Sequence, residues 1–503
     1  MVRTSNSLSY RTVTMTRLSI VFSLPVLLAG GCAPLPPQTV PTIATPSPSA
    51  HVAGTVLPAE ARARAFLDAF NSADRATLKQ FRQENIPSEP DQVDGDLEFR
   101  ATTGGFEVKR VEASTATRFT ALLKERASDQ FDRFDVEVSA DRAHLITKLD
   151  VNPIPTPIEF AVPRLTEADA LTALSAMLAK ATAEDHFSGT ALVASGSKVI
   201  FARAYGLANR ETKKENQLGT QFSIGSMNKM FTAVAVLQLV QAGKIELDAP
   251  LRSYLPDYPN KDLAAKVTIH HLLTHTGGTG DIFGPDFATH RLELKTVSDY
   301  LKLYGNRALE FQPGVRWSYS NYGFLLLGAV IEKVSGRSYY DYVRDHVFAP
   351  AGMKSTDSLP EDVDVPARAV GYTKAGANGS GWRPNADTLP YRGTPAGGGY
   401  STAEDLLRFA TALRTTVLLD AKHTDLLISP RSLAGSNGQH GYGIGIEDLA
   451  GMRCYGHGGG APGMNAGLWI CPKDGYVVTV LANMDPMAAT LAGYYALYRL
   501  PLR

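Results

Sequence analysis

The chain has 503 residues, enough for two domains, the larger easily able to bury a core. Fifty Lys plus Arg balance fifty Asp plus Glu, and 44% of the residues are hydrophobic. This composition excludes a disordered chain and offers no basic footprint for nucleic acid or an anionic membrane face, so small-molecule partners are expected.

Arg3, Arg11 and Arg17 precede the apolar run Leu18 to Leu28, which ends in Ala29-Gly-Gly-Cys32. A basic flank, an apolar stretch too short to span a bilayer stably and a small-residue end read as a bacterial export signal over 1–32. Met15 offers an alternative start with a shorter basic region. Small residues before a cysteine resemble a lipoprotein cleavage box, with Ala29 where such boxes usually carry Leu. Lipidation at Cys32, which would tether the chain to a membrane, and simple secretion therefore both stay open. Either leads to an exported protein, periplasmic or anchored at the outer membrane. Residues 33–57, with Pro34-Leu-Pro-Pro37 and Pro46-Ser-Pro48, read as an extended Pro/Thr-rich linker.

Residues 58–157 read as a small α+β accessory domain. Phe66, Leu67 and Phe70 share one helical stripe and Leu78 and Phe81 another, with Asn71-Ser-Ala-Asp74 as the turn between two short helices. Alternating runs around Phe106, Phe119, Phe134 and Leu145 predict an antiparallel sheet after them. This order loosely resembles small cone-shaped domains of the nuclear-transport-factor type, and it carries no catalytic constellation. Pro153-Ile-Pro-Thr-Pro157 marks the boundary.

From 165 to 503 the pattern is mixed α/β. Thr166-Glu-Ala-Asp169 opens a helix whose buried stripe is Leu171, Leu174 and Leu178. Two β-like runs, Thr190 to Ala194 and Val199 to Ala204, form a hairpin about Gly196. Then comes Ser226-Met-Asn-Lys229 opening an apolar helix. Ser226 and Lys229 are three apart, so on a helix they share a face, and the amine can reach the hydroxyl it would activate. Helix-start N–H groups also favour the developing anion. Ser-x-x-Lys arises by chance, and Ser195-Gly-Ser-Lys198 is a second copy. That copy spans the hairpin bend and reads as structural.

Two further motifs complete a nucleophile's needs. Tyr319-Ser-Asn321 follows a Pro-Gly turn and precedes the helix beginning near Phe324, a setting that Tyr258-Pro-Asn260 and Tyr304-Gly-Asn306 lack. His457-Gly-Gly-Gly460 ends a strand whose glycines let a substrate approach the backbone. In this order the three motifs resemble the serine β-lactamase and penicillin-recognising superfamily, most of all its class C β-lactamase, D-stereospecific peptidase and esterase branch. Thr268 to Gly278, Pro313 to Tyr322 and Gly397 to Asp405 match as well.

The resemblance implies a β-lactamase-like antiparallel sheet flanked by helices with a helical subdomain, working without a cofactor. It makes Ser226 the acyl-forming nucleophile, with Lys229 and Tyr319 sharing the proton work. Asn321 would hold the substrate amide, His457 and Gly459 would line its site, and the N–H groups of Ser226 and Gly460 would form the oxyanion hole. Many β-lactamases carry Lys-Thr-Gly where this chain has His457-Gly458-Gly459, so the attraction for a drug carboxylate is weakened. The expected activity is therefore hydrolysis of esters or of D-amino-acid or peptidoglycan-type amides. A class C-like β-lactamase and a catalytically idle penicillin-binding or wall-sensing protein are the alternatives.

His271 and His275 have i, i+4 spacing without a third metal ligand, so they are expected to belong to a structural helix ending at Gly277-Gly278 and no metal is expected. Ser401-Thr-Ala-Glu404 reads as a capping box. Residues 279–307 are expected to wall the cleft. Cys454 and Cys471 fall opposite each other if their strands pair with His457 against Leu468; a disulfide and two buried thiols both fit.

Overall fold

The computed structural model describes residues 56–154, 156–375, 381–431 and 439–503. The expected export signal, Cys32 and nearly all of the 33–57 linker lie outside them. Two compact units result, one ending at Phe160 and the other beginning at Ala161.

The first unit opens with helices α1 (Pro58–Ser72), α2 (Arg75–Asn85) and α3 (Val93–Thr103). Strands β1 (Phe106–Ser114), β2 (Arg118–Glu125), β3 (Phe131–Val138) and β4 (Ile146–Ile154) then form an antiparallel sheet in chain order. Phe66, Phe70, Leu78 and Phe81 pack on Phe119 and Phe134, as the helical stripes and strand alternation require. Asp74 caps α2 by accepting from the Thr77 N–H at 2.7 Å. Helix α3 was not among the two helices expected. It buries only Val93, Asp96 and Thr103, too sparse a set to show as a stripe, and a buried Asp96–Arg82 ion pair ties it to α2. Pro153 also lies inside β4 rather than beyond it, opposite Asp132, and β4 is an edge strand, where a proline is tolerated.

The second unit begins with α4 (Glu167–Ala183), capped by Thr166. Ala170, Leu174 and Leu178 form its buried face, so Ala170 takes the place expected of Leu171. Strands β5 (Gly189–Ser195) and β6 (Lys198–Tyr205) make the expected hairpin, with Gly196 at φ +64° and Ser195 paired to Lys198 across it. The hairpin joins a C-terminal meander to give one seven-stranded antiparallel sheet. Its order is 439–440, Gly445–Leu449, Met452–Ala461, Met464–Cys471, Tyr476–Ala482, β5, β6. Every residue of Tyr476–Ala482 is buried, because helices cover both faces.

On one face, α4 and the last helix, Ala488–Arg499, pack with Trp469 and Val478. Against the other lies the larger core, built on the helices Asn228–Gln241 and Asn321–Ser335. Tyr258 and Tyr304, from the two discarded Tyr-x-Asn matches, belong to this core, and the Tyr258 and Tyr322 hydroxyls lie 2.8 Å apart. Cys454 and Cys471 are joined by a disulfide between adjacent strands, in the register that sets His457 opposite Leu468. Among the described residues no helix is long and apolar enough to cross a membrane.

Candidate active site

Ser226 occupies the turn between the short strand Phe222–Gly225 and the helix Asn228–Gln241. Its carbonyl already accepts the Lys229 N–H at 3.0 Å, but it sits two residues before the first helical residue, Asn228, rather than in the first helical turn on which it was expected. Gly225 adopts φ +50°, and a Cβ there would stand 3.0 Å from the Gly460 nitrogen and 3.1 Å from the Gly459 Cα. On Gly459 a Cβ would collide with the Ile224 carbonyl oxygen. Bare glycine backbone on both chains therefore brings the Ser226 turn and the His457-Gly-Gly-Gly460 strand together. That apposition brings the Gly460 nitrogen close to Gly225, the residue that precedes Ser226.

The Lys229 side chain is fully buried. Its Nζ donates to Asn321 Oδ1 at 2.7 Å and to the Ala396 carbonyl at 2.6 Å. Burial pushes its pKa down to about 7, against the opposing pull of the Asp281 carboxylate. Two neighbours on the same helix hold the segment that supplies the carbonyl: Asn228 Nδ2 donates to Thr394 O at 2.9 Å and the Thr232 hydroxyl to Pro395 O at 2.7 Å. Gly328 leaves the space into which Pro395 fits.

Tyr319 precedes Ser320, which caps the helix Asn321–Ser335 by accepting the Gly323 N–H at 2.9 Å. That helix starts three residues earlier than expected, because the cap is Ser320. Tyr319 Oη is buried beside the Ser226 hydroxyl, without a partner in full hydrogen-bond geometry. Burial pushes the phenol above its ordinary range, and the neighbouring Ser226 hydroxyl pulls the other way. Asn321, the first helical residue, is committed at both ends: Oδ1 to Lys229, and Nδ2 to Asp281 Oδ2 at 3.0 Å.

His457 Nδ1 faces the Gly458 carbonyl at 2.5 Å, so Nδ1 carries the proton and Nε2 keeps its lone pair. Burial, with Lys229 close by, pushes its pKa down to about 3, and the ring is neutral at physiological pH. The position that carries a cation in many β-lactamases here carries an uncharged acceptor.

Two residues outside the expected set enter the site. The helix expected to reach Gly277-Gly278 ends at Leu273, and His275 follows it at φ +57°. His271 instead closes a capping box with Thr268, so the two histidines share no helical face. The His275 ring stacks on Tyr319 with centroids 4.5 Å apart, and Nδ1 accepts the Ser320 N–H at 3.1 Å. Burial first, then Lys229, His440 and His457, hold His275 well below its ordinary pKa. Asp281 is the second; its signal was only its place in the stretch expected to wall the cleft. Trp317, stacked on His440 at 5.2 Å, adds an aromatic wall 6.3 Å from the Tyr319 ring.

The second Ser-x-x-Lys stays apart from all this, with the Ser195 hydroxyl accepting from Arg503 at 2.8 Å. The expected capping box at Ser401 is shifted by one residue: Thr402 is the cap, accepting the Asp405 N–H at 3.2 Å, while Ser401 ends a strand. Among the described residues no group of three potential ligands could hold a metal ion.

A family model described as Beta-lactamase matches residues 174–500. The putative penicillin-binding protein PbpX of Bacillus subtilis is 31% identical over 297 residues, 59% of this chain and 70% of that protein. Esterase EstB of Burkholderia gladioli is 32% identical over 219 residues, 40% of this chain and 56% of that protein. A crystal structure of a D-stereospecific amidohydrolase from Streptomyces superposes with a TM-score of 0.56 at 26% identity, covering 64% of this chain and 97% of that one.

Proposed function

The chain belongs to the beta-lactamase family and is a serine hydrolase of that fold, and on that premise we propose that it cleaves esters or D-configured amides outside the cytoplasm through an acyl-Ser226 intermediate. The observation that carries the chemistry is the paired burial of Lys229 and Tyr319 around Ser226. Lys229, near pKa 7 and with two protein acceptors satisfied, is the general base. Tyr319, held protonated, is the acid.

Ser226 Oγ bonds to the substrate carbonyl carbon as its proton passes to Lys229. The oxyanion is received by the Ser226 and Gly460 N–H groups. When the ester or amide bond breaks, the leaving alkoxide or amine takes a proton from Tyr319, which recovers one from Lys229. Water then attacks the acyl-enzyme by the same proton route and releases the acid. Asn321 keeps one amide hydrogen for the substrate, the other being given to Asp281.

Neutral His457 beside Gly458 offers neither charge nor hydroxyl to an anionic drug, which favours ester and D-amide substrates over penicillins. EstB is named an esterase and the Streptomyces protein a D-stereospecific amidohydrolase, and both names agree with that preference. Export is supported by the basic-apolar leader ending at Cys32 and by the Cys454–Cys471 disulfide, a bond suited to an oxidising compartment.

Intact mass after exposure to p-nitrophenyl butyrate, D- and L-amino-acid p-nitroanilides and a penicillin tests the reading. An acyl adduct on Ser226 that turns over with the ester or the D-anilide is expected, and its loss in Ser226→Ala. Turnover unchanged in Ser226→Ala overturns it.

A further inference from the structure

Asn321 connects two groups that no motif links. Its Nδ2 meets Asp281 Oδ2 at 3.0 Å and its Oδ1 meets Lys229 Nζ at 2.7 Å. An amide can be turned either way, but the opposite orientation would set an NH2 against the lysine donor and an oxygen against the carboxylate. The carboxylate therefore fixes which end of Asn321 Lys229 meets. A neutral amine has two N–H donors and one lone pair. With those donors taken by Asn321 Oδ1 and the Ala396 carbonyl, the lone pair is the one valence of Lys229 left for chemistry.

We propose that Asp281 is a positioning residue of this hydrolase: through the side-chain amide of Asn321 it holds the Lys229 amine with its lone pair unoccupied, ready for the Ser226 proton. The proposal rests on the acyl-Ser226 reading and adds a residue that reading does not contain.

The segment that carries Asp281 is braced from both sides. Thr279 Oγ1 and Ser320 Oγ lie 2.9 Å apart, and Ser320 Oγ reaches the Gly280 carbonyl at 2.5 Å. Gly278 and Gly280 adopt φ +66° and +70°, and a Cβ on Gly278 would collide with the Phe311 carbonyl oxygen. Beyond Asp281, the Ile282 N–H donates to Asp281 Oδ1 at 2.6 Å, Arg307 holds the Asp281 carbonyl, and the Tyr304 hydroxyl donates to the Ile282 carbonyl at 3.0 Å. Ser320, the residue before Asn321, therefore fixes one flank of the aspartate that orients Asn321. One small unit sets both partners of the contact, as a preorganised supporting shell should.

The same carboxylate acts on charge. Around Lys229 stand Asp281 from this loop, His275 after the short helix, Tyr319 before the long one and His457 from the sheet. Both histidines are held neutral, and Tyr319 is held protonated, so Asp281 supplies the charge that opposes burial at Lys229. Asp281→Asn keeps an acceptor for Asn321 and removes the charge. Without it Lys229 loses its proton more readily, so the rising limb of activity against pH moves toward lower pH. Asp281→Ala removes the acceptor too and frees Asn321 to turn.

The test is the pH dependence of kcat/KM for p-nitrophenyl butyrate in full-length parent, Asp281→Asn and Asp281→Ala, with melting temperature and the extent of Ser226 acylation followed in each. Asp281→Asn is expected to move the limb down by about one pH unit at retained stability. Asp281→Ala is expected to lower kcat roughly 10- to 100-fold with KM little changed. A limb that stays in place in Asp281→Asn, or an Asp281→Ala enzyme with parental kcat, overturns the assignment while acylation of parental Ser226 keeps the hydrolase reading intact. A parent enzyme that never acylates at Ser226 overturns both.

Discussion

Lys229 Nζ stands 4.6 Å from the centroid of the Tyr319 ring, and burial drives the two side chains' proton affinities apart, the amine down to about 7 and the phenol upward. Unperturbed, both groups titrate near 10 and could exchange roles. The shared low-dielectric environment removes that ambiguity, since burial disfavours an ammonium and a phenolate alike. Their neutral forms are an amine able to accept a proton and a phenol able to give one, which is the pair that acyl transfer from a serine needs.

The activity of the free enzyme should therefore rise with pH through about 7 and then level off. The sign follows from the role: a base works unprotonated, so protonating Lys229 below its pKa removes activity. Tyr319, pushed above its ordinary range, contributes no falling limb below about pH 10. Initial rates of p-nitrophenyl butyrate hydrolysis between pH 5 and 10, corrected for the spontaneous reaction, give the profile. A rise that begins only above pH 9 would make tyrosinate the base instead.

Tyr319→Phe should separate catalysis from stability. The ring that stacks on His275 remains, and the buried hydroxyl that is lost meets no protein partner in full hydrogen-bond geometry, its one polar neighbour being the Ser226 hydroxyl, so little bonding is given up. Melting temperature should hold or rise slightly. The rate of acyl transfer should fall about 10²- to 10⁴-fold, the usual weight of a positioned proton donor. A variant that melts well below the parent would show that the hydroxyl is structural.

Ser226, Lys229, Tyr319, Asn321 and His457 could be picked out from sequence because each is a chemically distinctive side chain at a short fixed spacing from another. Their meeting in space depends on features that spacing does not carry. The Ala396 oxygen that holds Lys229 is a backbone atom, indifferent to residue type. Asp281 lies in a loop with no periodicity, and only the fold brings it to Asn321. His275 carried a misleading signal, since its i, i+4 relation to His271 suggested a helix that its left-handed backbone ends. The β5–β6 hairpin was legible from local alternation. Its pairing with Tyr476–Ala482, almost 300 residues away in sequence, was not, since hydrophobic strands do not name their partners.

The Cys454–Cys471 bond closes a separation of 17 residues between neighbouring strands. A loop of that size restricts the unfolded chain enough to contribute about 3 kcal/mol on the chain-entropy account. Both cysteines are buried on the face that packs against α4, away from the acyl site. Cys454→Ala/Cys471→Ala should accordingly melt several degrees lower yet keep the parental kcat below its transition. An unchanged melting curve would mean that the bridge adds nothing to stability.

The glycines of the last motif should not be equivalent. A Cβ at Gly458 would stand 3.6 Å from the Ala466 carbonyl oxygen, an ordinary contact, whereas at Gly459 it would run into Ile224 O and press on the Gly225 Cα at 3.2 Å. Neither residue requires a left-handed backbone, so the difference lies in space alone. Gly458→Ala should fold with parental stability and retain acylation. Gly459→Ala must separate its strand from Phe222–Gly225, at a cost of about 3 kcal/mol for backbone that cannot repack. The same separation moves the Gly460 N–H away from Ser226, so the oxyanion loses a donor and kcat should fall about 10²- to 10³-fold even in the folded fraction. Thermal melts paired with single-turnover acylation of the two variants resolve both effects. Equal behaviour at 458 and 459 would mean that the strands do not meet through bare backbone at Gly459.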